Sequence, residues 1–91
     1  MTQNALSPAR ADVQDDRAIV RRILDGEQAA FTALMRRYNQ QLYRLARAIT
    51  RDDAEAEDAL QDAYLSAYRA LGEFRGDSSL STWLSRLVIN Q

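Results

Sequence analysis

From Phe31 to Ile49, apolar side chains recur at steps of three and four, through Leu34, Met35, Tyr38, Leu42, Leu45 and Ala46. Over about five turns that spacing gathers all of them on one face of a helix, where a strand would scatter them over both faces. The stripe predicts the spine of a helical core, with Arg36, Arg37, Arg44 and Arg47 lying off it as a basic flank toward solvent or phosphate.

The flanking segments follow the same period. A short helix is expected ahead of the spine, with Asp15 or Asp16 as its N-cap, Ile19, Val20, Ile23 and Leu24 on its apolar face, and Gly26 as its stop. Before it, Met1 to Val13 shows no sustained periodicity and contains Pro8, so residues 1–14 read as a flexible tail and 15–91 as the domain. Thr50 to Asp53 interrupts the pattern. A third helix is then expected from about Ala54 to Leu71, capped by Asp52 or Asp53, with Ala56, Leu60, Ala63, Tyr64, Ala67 and Leu71 buried. Its small alanines let another helix approach closely. Gly72 and Gly76 bracket a short segment, after which Ser79 or Ser81 caps a fourth helix with Leu80, Trp83, Leu84, Leu87 and Val88 on its apolar side. Phe74 and Trp83 are expected to fill core. The fold class is therefore all-α, a compact bundle of about four helices. The pattern is still helical at Gln91, which reads as a piece of a longer protein.

Ninety-one residues build one modest core, since a chain of that size buries only about 60 to 70% of its unfolded surface. It holds no cysteine and no histidine, which excludes thiolate or imidazole metal sites, disulfides and histidine-based catalysis. No convergent catalytic set remains, so neither an enzyme nor a cofactor is expected. No apolar run approaches the roughly 20 residues that cross a bilayer, and the N-terminus lacks a basic-then-apolar signal, so a cytoplasmic protein without membrane insertion is expected.

Charge is segregated along the chain. Residues 17–51 carry eight arginines against Asp25 and Glu27, whereas residues 52–68 carry six acids and no base. Opposite potentials side by side fit two partners of different kinds, or two halves that pair with each other inside the domain. The face of the third helix opposite its buried stripe carries Asp58, Gln61, Asp62, Leu65 and Arg69, a mixed surface that a helical partner can grip. The polar loop from Phe74 to Ser79 precedes a helix N-terminus, a place that serves either as a cap or as a holder for a phosphate or an unstacked base.

Three blocks, GEQAAFTALMRRYNQQLYRLARAI, DAEAEDALQDAYLSAYRAL and FRGDSSLSTWLSRLVIN, occur in this order. Together they resemble the N-terminal conserved domain of bacterial RNA polymerase sigma factors of the sigma-70 family, extracytoplasmic-function type, over residues 17–91. The resemblance implies that Asp58, Gln61, Asp62, Leu65 and Arg69 face the clamp helices of the largest subunit of core RNA polymerase. It also implies that the Phe74 to Ser79 loop captures a base flipped from the non-template strand of the promoter minus-ten element. Arg75, Asp77, Ser78, Ser79, Thr82, Arg86 and Asn90 become the candidate contacts to that single-stranded DNA. An anti-sigma factor is implied as a further partner. Ala63 and Leu80 stand where the family usually carries bulkier aromatic or apolar residues, and Val88 and Ile89 stand where an alanine-arginine pair is common, which leaves promoter choice open. A second conserved domain, which in the family reads the minus-thirty-five element, is absent from these residues.

Two other classes predict different behaviour. A helical protein-interaction module with an acidic face would show no affinity for single-stranded promoter DNA. A helix-turn-helix repressor would bind duplex DNA as a dimer, for which the chain lacks the tight helix-turn-helix spacing and a dimer stripe.

Overall fold

The computed structural model describes residues 8–91, with side chains from Asp16 onward. Four α-helices make up the described part, and it contains no strand: α1 (Pro8–Leu24), α2 (Gln28–Thr50), α3 (Asp53–Ala70) and α4 (Leu80–Ile89), with a 3-10 turn at Leu71–Glu73. The long α2 packs against each of the other three helices, and α3 also packs on α4. The all-α bundle expected from the periodicity is the fold found.

Helix α1 starts earlier than the sequence indicated. Its described residues run from Pro8, so Asp15 and Asp16 lie within it and do not cap it. Residues 8–14, assigned to the tail, are helical, and the remainder of that tail lies outside the described residues. Asp16 turns inward instead. Buried at 6% exposure, its carboxylate accepts a hydrogen bond from Tyr38 Oη and lies 3.9 Å from Arg37 Nε. This polar clamp fastens α1 to the middle of α2. The stop at Gly26 is as expected, with φ +102°. Gly26 N–H donates to Ile23 O and Glu27 N–H to Arg22 O, the paired bonds of a Schellman turn that only a left-handed residue closes easily.

The buried line of α2 runs Ala30, Leu34, Tyr38, Leu42, Ala46, always by four, and α4 repeats it with Leu80, Leu84 and Val88. Side chains at that step form one oblique ridge, and a helix packed along the ridge turns residues three positions away outward. This explains two departures from the expected apolar face of α2: Ile49 is 52% exposed and Leu45 is only partly buried. On α1, Leu24 is 55% exposed as well. In α3 the alanines fulfil their expected role, with Ala56, Ala63 and Ala67 sealed against neighbours and Leu71 closing the core below them. Tyr64 is only partly buried, its hydroxyl donating to Met35 O or Asn39 Oδ1 on α2.

Each later cap is the first of the two residues the sequence offered for it. Asp52 accepts from Glu55 N at 2.9 Å and Ser79 Oγ accepts from Thr82 N at 3.1 Å, each satisfying one otherwise orphaned N–H.

Candidate functional site

The loop between the 3-10 turn and α4 is fixed at three points. Phe74 leaves the turn with its N–H bonded to Leu71 O, and its ring packs on Trp83 at 5.4 Å between centroids with the planes tilted by 56°. Gly76 adopts φ +80°, which reverses the chain and would strain any other residue. Ser79 then caps α4. Trp83, expected in the core, is half-buried and serves as the prop on which Phe74 and hence the loop rest.

Of the residues assigned to DNA, Arg75, Asp77, Ser79, Thr82, Arg86 and Asn90 are exposed or half-exposed and Ser78 is partly buried. Thr82, Arg86 and Asn90, each four positions apart, form one outward ridge on α4 and its C-cap. The Thr82 hydroxyl accepts from Ser79 Oγ at 3.0 Å and so keeps its own proton to donate. Ser79 Oγ is thus engaged twice, accepting from Thr82 N as the cap and donating to Thr82 Oγ1. Arg75, Ser78 and Ser79 line a cavity of about 450 Å³, whose loop side is completed by Phe74, Gly76 and Leu80. Its opposite wall is α1, through Asp16, Arg17, Val20, Arg21, Leu24 and Asp25. Asp77 and the α4 ridge of Thr82, Arg86 and Asn90 do not line it.

On α3, Asp58, Gln61, Asp62, Leu65 and Arg69 are all exposed together. Leu65 does not stand alone, because it lines an apolar depression with Phe31, Met35, Gln61, Tyr64 and Tyr68. Phe31 and Tyr68 meet edge to face at 5.1 Å, which holds that depression's floor across α2 and α3. Sequence reasoning missed Tyr68, although Gln61, Leu65 and Tyr68 fall at helical spacing and 53% of Tyr68 is exposed.

The acidic run and the basic spine pair with each other only slightly. Arg47 Nε meets Asp53 Oδ1 at 2.7 Å and Tyr43 Oη donates to the same oxygen at 3.2 Å, the one place where an arginine of α2 and an acid of α3 form an ion pair among the described residues. The Arg47 hydrogen bond, then that of Tyr43, holds the Asp53 carboxyl below its ordinary pKa. With Asp52 engaged as a cap, Glu55, Glu57, Asp58 and Asp62 remain exposed and without a cationic partner among the described residues. Internal pairing therefore does not account for the acidity of α3.

The family model for sigma-70 region 2 matches residues 34–91. The chain belongs to that family. Among its relatives, this sigma region 2 chain is 52% identical over 65 residues to the ECF RNA polymerase sigma factor SigM of Mycobacterium tuberculosis, an overlap covering 71% of the chain and 33% of the relative. It is 42% identical over 77 residues to the RNA polymerase sigma-H factor of Pseudomonas aeruginosa, covering 85% and 40%. Against the ECF RNA polymerase sigma-E factor of Escherichia coli it is 39% identical over 77 residues, covering 82% and 39%. The matched part is thus two fifths or less of each of these relatives.

Proposed function

We propose that this sigma region 2 chain is the part of a transcription initiation factor that docks on core RNA polymerase and opens the promoter minus-ten element by holding a flipped non-template base. The cavity beside the Phe74 to Ser79 loop carries the reading. Its volume of about 450 Å³ lies within the roughly 300 to 1,000 Å³ of sites that enclose small ligands. Extruding a base costs stacking and pairing energy, and a pocket that fits one base offsets that cost only where the sequence is right. The ridge of Thr82, Arg86 and Asn90 is suited to follow the strand as it leaves the loop. The action is binding, with no bond made or broken in the DNA.

The unpaired acids of α3, with Leu65 and Tyr68 beside them, support docking on a partner that offers arginines around an apolar anchor, here the clamp helices of the polymerase. An anti-sigma factor covering these same surfaces would silence the domain, and its site of action would be the cytoplasm. No helix among the described residues is long and apolar enough to cross a membrane.

Titration of labelled non-template minus-ten oligonucleotides of varied sequence tests the reading. Wild type should discriminate among them, and an Arg86→Ala, Asn90→Ala variant should bind less tightly; a flat response across sequences would remove the proposed DNA surface. An Asp62→Arg, Leu65→Ala variant should lose the polymerase clamp, and normal clamp binding would take α3 out of that interface.

A further inference from the structure

The cavity has a second wall, on α1, to which the sequence pattern assigns no role. Along that helix Arg17, Val20, Arg21, Leu24 and Asp25 follow one another at steps of three and one and face the loop across the open space. Leu24 is apolar yet 55% exposed, an unsealed side chain within the cavity. Arg17 and Arg21 are one helical turn apart and exposed, and neither forms an ion pair among the described residues. Arg22, next in sequence, points elsewhere: its guanidinium is held by Glu27 at 3.1 Å and it does not line the cavity.

The charges around the space favour an anion. Arg17, Arg21 and Arg75 stand against Asp16 and Asp25, and Asp16 is already engaged by Tyr38 and Arg37. Guanidinium groups present planar forks that match phosphate oxygens, while Leu24 and the partly buried Phe74 offer apolar surface to the face of a base. Resting on the reading of this cavity as a nucleotide site, we infer that α1 is its second jaw. Arg17 and Arg21 grip the phosphates flanking the captured nucleotide of single-stranded DNA, and Leu24 lies against its base. The loop then selects the base, and α1 supplies affinity that is indifferent to sequence.

The test is anisotropy titration of short labelled single-stranded DNA at several salt concentrations, with circular dichroism confirming unchanged helix content. An Arg17→Ala, Arg21→Ala variant should bind about tenfold more weakly, to the same degree for every oligonucleotide sequence. Its salt dependence should flatten by about 0.7 in log-log slope for each phosphate the protein no longer neutralises. Arg21→Ala alone should weaken binding clearly more than Arg22→Ala, which removes the same charge from the same helix but outside the cavity. Equal effects of Arg21→Ala and Arg22→Ala would reduce the role of α1 to bulk charge and overturn the inference. Weakening by Arg75→Ala with none from the α1 variant would do so too, while leaving the nucleotide site standing. Failure of wild type to bind any single strand would bring down the nucleotide site and the inference together.

Discussion

Asp16 illustrates how far a single residue's role depends on a partner that is distant in sequence. An aspartate ahead of an apolar periodic stretch reads as an N-cap, and nothing local distinguishes it from one that turns inward. Its partner Tyr38 lies 22 residues away, in the middle of α2. A hydrogen bond to a charged group is worth about 1.5 to 3 kcal/mol. Tyr38→Phe keeps the buried ring and removes only the donor, so it should lower unfolding free energy by about that amount, read from urea denaturation. No change would mean that the Asp16 carboxylate does not depend on this donor. Asp52 and Ser79, by contrast, were legible as caps, because a cap acts on N–H groups two or three residues away and so writes its signal into the local sequence.

At the level of the element, periodicity located α2, α3 and α4 closely and misplaced the start of α1. Apolar spacing is the signal by which a sequence announces a helix, and it is sustained only from Ile19, Val20 and Ile23 onward. The loop before α4 was legible as polar and serine-rich, but the cavity was not, since its other wall lies some fifty residues upstream on α1. Gly76 is the loop's conformational pivot. No atom stands within 4 Å of a Cβ built there, so Gly76→Ala meets no clash and acts through its φ of +80° alone. That strain is about 1 to 2 kcal/mol, and relief of it should re-route the loop. The variant is expected to lose affinity for minus-ten oligonucleotides while helix content by circular dichroism is kept and the melting midpoint falls by no more than about 4 to 8 °C for each kcal/mol of unrelieved strain. Unchanged affinity would show that the loop's path does not shape the site.

For the whole molecule, a formal net charge of -1 conceals two surfaces of opposite character. The acids left unpaired on α3 contribute little to the fold, because exposed charges removed from any network usually change stability by less than about 0.5 kcal/mol. Glu57→Gln, Asp58→Asn and Asp62→Asn together should therefore leave the urea midpoint nearly unchanged and still abolish retention on the polymerase clamp. A large loss of stability would return these acids to the fold. The segregation itself was plain in the order of the residues. Whether the two halves pair internally was not, since that depends on which side chains the packing of α2 on α3 brings together, and only Arg47 and Asp53 meet among the described residues.

The packing of Phe74 against Trp83 has an optical consequence. Trp83 is the chain's one tryptophan, so its emission arises from a single place, the foot of the loop. Indole fluorescence shifts with the polarity around the ring, and a strand that displaces Phe74 would alter that ring's cover. The protein thus carries a built-in, label-free reporter, and the colour of its own light would follow the loop from its resting state to its occupied one.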